Sequence, residues 1–272
     1  MTTPFIRDYL KRARFLLPIA IFLFASCAQP TEPWEDPEAL PAIDVPWTNQ
    51  QSIVCFGTSL TNGFMWAQAI QPTGRDFHEP PQIPAFSNNQ DNRLAGPHAY
   101  PELLAATLKM RVHNQGHVGA TTQDALNIVG DSVFYRNPAL VLLEFGANDF
   151  LQQISDSAVE KRLGRLIDTL HIFGSKVIFI SFLNTGMIES LPSDHFLANR
   201  RQAARSTLEM LKRVTGTRNL LFVENAMKDI YWNKDRLSDA LHPNKEGYRI
   251  MQENISRALA KTFSKNGMLN PY

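Results

Sequence analysis

Two cysteines, Cys27 and Cys55, are too few for a disulfide framework or a four-cysteine zinc site. Charge of one sign is equally scarce. The 27 Lys and Arg are balanced by 26 Asp and Glu, which argues against a nucleic-acid partner, since general binders need a basic face. What is there suits a folded body. An apolar share of 44% with 19% charged residues excludes a disordered chain. The 272 residues have room for one large domain with a sizeable core, or for two small ones.

The start of the chain carries a local excess of basic residues. Arg7, Lys11, Arg12 and Arg14 precede an almost wholly apolar run, Phe15 to Ala25. That run is short of the roughly 20 residues that cross a bilayer and matches the core of an export signal over residues 1–26. It ends in Leu23-Phe24-Ala25-Ser26-Cys27, which resembles a bacterial lipoprotein processing site with Cys27 as the lipidated residue. Phe24 stands where Leu is usual. Ordinary signal cleavage with a free Cys27, or an uncleaved anchor, are the other readings. The expectation is an exported, membrane-anchored protein facing the periplasm or cell surface, with Cys55 a buried thiol.

Residues 27–50 hold Pro30, Pro33, Pro37, Pro41 and Pro46 among acidic residues, a spacing that no helix or central strand accommodates. They read as an extended tether, or as a segment wrapped on the body through Trp34 and Trp47. From residue 51 to 265 the chain alternates. Short apolar runs at Ser52–Phe56, Ala139–Phe145, Lys176–Phe182 and Asn219–Val223, with a weaker one at Met110–His113, read as buried parallel strands. Helical periodicity covers Tyr100–Lys109, Ala158–Phe173, Leu197–Val214 and Lys245–Phe263. The expected fold class is α/β, a parallel sheet covered on both faces. A Pro-rich segment at 65–98 breaks the rhythm as a long insertion loop, and 266–272 is a tail.

Four blocks follow strands or precede the last helix. Gly57-Thr58-Ser59-Leu60-Thr61-Asn62-Gly63 places a serine beyond the first strand, at the edge where open α/β sheets hold ligands. It is not a G-x-S-x-G elbow, because Thr61 replaces the second glycine, and a serine there equally suits a helix cap. Asn114-Gln115-Gly116-His117-Val118-Gly119 follows the next strand and has glycines able to present a backbone N–H. His113 and His117 straddle a strand–loop junction and do not share a face for a metal. Glu144-Phe145-Gly146-Ala147-Asn148-Asp149 supplies an amide, with Asp149 a possible N-cap. Finally, Asp239-Ala240-Leu241-His242 separates carboxylate and imidazole by three residues in a turn, close enough for the carboxylate to fix the ring's tautomer.

Taken together, order, spacing and flanking pattern over about residues 51–265 resemble the SGNH (GDSL-type) hydrolases, and most closely the branch of bacterial thioesterase/lysophospholipase and arylesterase enzymes. Tyr100-Pro101 at the opening of the first long helix belongs to that likeness. Thr58 departs from the Asp in the family name, at a position outside the triad. The resemblance implies a three-layer α/β/α sandwich with a five-stranded parallel sheet of flavodoxin-like order. It also implies Ser59 as nucleophile, His242 as base and Asp239 as its orienter. The Ser59 and Gly119 N–H groups and the Asn148 amide would form the oxyanion hole, with Gly116 the weaker choice for the glycine. No metal or organic cofactor is implied, and the partner is a small acyl-ester substrate. Short acyl esters, lysophospholipids and acetylated glycans all fit. Acyl-pocket candidates are Leu183–Ile188 and Phe150–Leu151, which equally suit plain core packing. Transfer of the acyl group to an alcohol, or a catalytically silent ligand-binding lipoprotein, are the alternatives.

Overall fold

A computed structural model describes residues 52–64 and 98–263. The signal, Cys27, the 27–50 tether, residues 65–97 of the 65–98 loop and the 266–272 tail lie outside the described residues.

The sheet has five strands: β1 (Ile53–Gly57), β2 (Val112–Gly116), β3 (Leu140–Glu144), β4 (Lys176–Ile180) and β5 (Leu221–Val223). All pair in parallel, in the order β2-β1-β3-β4-β5. Every residue of β1 and β3 is buried, which explains their unbroken apolar sequences, since helices cover both faces. Among the described residues eight α-helices accompany them: α1 (Ser59–Asn62), α2 (Tyr100–Leu108), α3 (Thr122–Ser132), α4 (Ala147–Leu151), α5 (Asp156–Ile172), α6 (Thr185–Glu189), α7 (Arg201–Gly216) and α8 (Lys245–Phe263). Helix α5 packs between α3 and α7, and α2 packs on α8, giving the three-layer α/β/α sandwich.

Several elements differ from the sequence expectation, and three of the differences have a clear physical reason. Strand β2 runs on to Gly116 rather than stopping at His113. It lies at the edge of the sheet, so its His-Asn-Gln stretch carries no apolar signature. Helix α7 starts at Arg201, after a 3₁₀ turn at Ala198–Arg200. Helix α3 has no counterpart in the sequence reading, yet a capping box marks its start: Thr121 accepts from the Asp124 N–H while the Asp124 side chain accepts from Thr121.

The order of strands places the reversal between β1 and β3. Successive connections leave that pair in opposite directions, opening a crevice outside their carboxyl ends. The blocks containing Ser59 and Asn148 are the segments that leave those two ends.

Candidate active site

Ser59 is the first residue of the single turn α1, directly behind β1. It does not cap the turn. Thr58 holds the N-cap position in extended geometry and makes no side-chain capping bond. The Ser59 hydroxyl instead lies 2.9 Å from His242 Nε2. His242 Nδ1 lies 2.8 Å from Asp239 Oδ2, and Asp239 Oδ1 accepts from the backbone N–H groups of Leu241 at 2.8 Å and His242 at 2.7 Å. A carboxylate at Nδ1 assigns the proton to that nitrogen and leaves Nε2 as acceptor for the serine hydroxyl. The loop carrying both residues is closed on itself, with Ser238 donating from N to His242 O at 2.8 Å. Burial pushes the Asp239 carboxyl up, but His242 and the two N–H groups outweigh burial and hold it below its ordinary value. The three groups are all buried.

Asn148 sits in α4, beyond β3, and its Nδ2 donates to Ala120 O at 2.8 Å. An amide has two N–H donors, so this bond fixes its orientation and leaves the second hydrogen. Gly119, the residue before Ala120, adopts φ +76°, a left-handed conformation that favours glycine. The Gly116 N–H is already given to Asn114 Oδ1 at 3.0 Å, which favours Gly119 of the two. Asp149 is the N-cap of neither helix, Gly146 holding that place in α4 and Thr121 in α3. It accepts from Thr122 N at 2.9 Å and Thr122 Oγ1 at 2.7 Å, at the start of α3. Asn148 and Asp149 thereby tie the β3–α4 turn to the segment after β2.

Ser59, Asn148 and His242 line one open recess. Its far wall comes from Phe150, Leu151, Phe182, Leu183 and Met187. Both sequence-nominated acyl-pocket regions contribute, although Ile188 turns into the core. Among the described residues no three His, Cys, Asp or Glu gather as a metal site. His117 is buried with Nε2 3.0 Å from Ser132 Oγ.

Two contributors went unread in the sequence. Arg200 reaches from the 3₁₀ turn to α4, donating to Phe150 O and to Leu151 O at 3.4 Å, with its guanidinium carbon 4.1 Å above the Phe150 ring. It adds a donor at the carbonyl end of this short helix, where Phe150 O also accepts from Gln153 N–H at 3.2 Å. Glu144 lies fully buried under the serine turn. Arg200 carries no sequence signal of this role, being about 50 residues from its partners.

The GDSL-like lipase/acylhydrolase family matches residues 55–250, a span that takes in all four blocks. The chain belongs to that family. As a GDSL-like hydrolase it is a carboxylic ester hydrolase. No curated protein matches it. Solved structures are similar in fold at low identity. The psychrotrophic esterase EstA from Pseudoalteromonas sp. shares 17% identity at a TM-score of 0.57, covering 78% of this chain and 97% of its own. The acetylxylan esterase Axe2 from Geobacillus stearothermophilus shares 16% at 0.55, with 78% and 94% covered. TesA shares 17% at 0.58, with 80% and 100% covered.

Proposed function

We propose that this GDSL-like hydrolase is a serine esterase that works through an acyl-enzyme and binds the acyl group of its substrate in the apolar recess. The observation that carries this reading is the hydrogen-bonded line from Asp239 through His242 to Ser59, ending beside that recess. Ser59 Oγ attacks the ester carbonyl as its proton passes to His242 Nε2, and the Asp239 carboxylate stabilises the imidazolium. The second Asn148 N–H, with the Ser59 and Gly119 N–H groups, receives the negative charge on the carbonyl oxygen. His242 then gives its proton to the departing alcohol. Water, deprotonated by His242, releases the acid and restores Ser59. Side chains, backbone N–H groups and water supply every step.

Apolar walls support an aliphatic acyl group over an acylated sugar ring as the occupant, because a sugar's hydroxyls would lose water without gaining partners there. A panel of p-nitrophenyl esters of increasing acyl length tests the reading. Hydrolysis that vanishes in Ser59→Ala is the expected result; equal hydrolysis by Ser59→Ala would overturn it.

The N-terminal sequence supports a second inference, that the protein is exported and held at a membrane through lipid on Cys27. Cys27→Ser then releases the protein to the soluble fraction or leaves it unprocessed. A variant of unchanged size and membrane partition would refute the anchor.

A further inference from the structure

Strand β3 reads Leu-Val-Leu-Leu-Glu, and its last residue puts a carboxyl group where the preceding four are aliphatic and fully buried. A buried carboxylate is costly unless its oxygens are satisfied. Glu144 is satisfied, among the described residues, by hydrogen-bond donors of one short segment. Thr58 N donates to Oε2 at 2.9 Å, the Thr58 hydroxyl reaches Oε1 at 3.1 Å and Oε2 at 2.9 Å, and the Thr61 hydroxyl reaches Oε2 at 3.1 Å. Those threonines flank Ser59. The Thr61 hydroxyl also meets Tyr100 OH at 3.2 Å, tying the turn to α2. Gly57 completes the cradle. A Cβ there would stand 2.1 Å from Thr61 Oγ1 and 2.8 Å from Glu144 Oε2, so the carboxylate packs directly against the backbone that leads into the turn. Thr58 occupies the N-cap of α1 without capping it, because its hydroxyl is committed to Glu144.

We propose that Glu144 is a positioning residue for ester hydrolysis: its carboxylate holds Thr58 and Thr61 so that Ser59 Oγ stays aligned with His242 Nε2. It acts through the threonines and is bonded to none of the reacting groups. The inference rests on Ser59 being the nucleophile, as argued above. A turn of four residues has little stiffness of its own, so its alignment depends on what it is fastened to. Misplacing a reacting atom by about 1 Å costs up to about 10²-fold in rate.

The experiment compares Glu144→Leu, Glu144→Gln, Thr58→Val and Thr61→Val with the parent protein. It reads kcat and KM on a p-nitrophenyl ester, and the rate at which a p-nitrophenyl alkylphosphonate labels Ser59, followed by mass. Glu144→Leu removes every acceptor, and both kcat and labelling rate should fall at least about tenfold with KM within about threefold. Glu144→Gln keeps a carbonyl oxygen for the Thr58 N–H, while its amide donates to a hydroxyl that reverses. It should retain both rates within about threefold. The two threonine variants should lie between. A folded Glu144→Leu with the parent's kcat and labelling rate overturns the proposal, as does a loss carried by KM alone. A Glu144→Gln variant as slow as Glu144→Leu also overturns it, since acceptors would then not be what matters. Should Glu144→Leu fail to fold, parental rates in both threonine variants refute the role. Ser59→Ala separates the two readings. If it is inactive while the Glu144 and threonine variants are normal, the positioning role alone fails; if it is active, the serine mechanism itself fails.

Discussion

The near side of the recess and its far wall are built from opposite materials. Ser59, Asn148 and His242 are each held by hydrogen bonds to groups distant in sequence: His242 to Ser59, Asn148 to Ala120, and the serine turn to Glu144. Phe150, Leu151, Phe182 and Met187 are held mainly by packing, with Phe150 and Phe182 ring centroids 6.4 Å apart. Hydrogen bonds fix atoms to within tenths of an ångström, whereas packing conserves volume and tolerates exchange of shape. On the proposed mechanism, the near side would set whether the reaction occurs and the far wall which acyl group is favoured.

The largest effect should come from Ser59→Ala. It deletes the proposed nucleophile but only one hydrogen bond to His242, so activity should fall to background while the melting temperature stays within a few degrees, about 1 kcal/mol. Activity assays and thermal melts on one preparation check both halves. A large fall in melting temperature would mean that the hydroxyl is structural. Asn148→Ala comes next. One oxyanion donor is worth about 10²–10³ in kcat, with KM little changed. This variant also strips Ala120 O of its partner, so roughly 1–3 kcal/mol of stability should go with it. A fall in stability with kcat intact would reduce Asn148 to a loop brace.

Much of the near side was legible because its chemistry is local in sequence. Asp239 and His242 share one turn, and Ser59 and Asn148 each follow an unbroken apolar strand, whose carboxyl end is where such sheets hold ligands. Glu144 was visible as a letter but not as a role. Its meaning arises from strand pairing, which sets Glu144 opposite Gly57 in adjacent parallel strands, and periodicity within one strand carries no information on its neighbour. The reading of Asp149 as an N-cap fails for the same reason: Gly146 and Thr121 hold the N-caps of α4 and α3, and Asp149 instead accepts from Thr122 across the fold. Strand β2 was shortened because an edge strand can afford polar residues, while α3 announced itself only through Thr121 and Asp124. The far wall was nominated by position, after the fourth strand and at Phe150–Leu151, and its fastening by Arg200 has no local signature.

A third prediction uses the charge of Glu144, where the polar side carries a cost in stability. Burial lifts this carboxyl to about 7 from its ordinary 4.5, against the pull of the threonine bonds. Around it, burial pushes Cys55, Tyr100, Tyr231 and Tyr248 upward as well, so they stay neutral through this range. Between about pH 4.5 and 7 the folded chain keeps a proton on Glu144 that the unfolded chain has released. Stability contributed by this group is therefore fully present below the unfolded value and is lost as pH rises through the folded one, by up to roughly 3 kcal/mol. Glu144→Gln carries no such charge. Its stability relative to the parent should rise across this window, read from denaturant midpoints at pH 4.5 and 7.5. A difference that does not change with pH would show that the carboxylate bears its charge without strain.

The smallest effect should come from the far wall. Met187 lines the recess from α6, where its N–H donates to Asn184 Oδ1 at 2.8 Å, so the backbone beneath it is pinned independently of its side chain. Each methylene of an acyl chain buried against this wall adds about 0.8 kcal/mol, which is roughly a fourfold gain in kcat/KM until the recess is filled. Met187→Ala removes wall without touching the polar side. For the shortest esters, which do not reach it, kcat/KM should stay within about twofold. For chains that contact Met187 in the parent, kcat/KM should fall about two- to fourfold, and the favoured chain should lengthen as the recess deepens. A matched series of p-nitrophenyl esters reads this as a slope against chain length. If acetyl and longer esters lose activity equally, the far wall supports the catalytic atoms rather than selecting the acyl group, and the division between the two sides breaks.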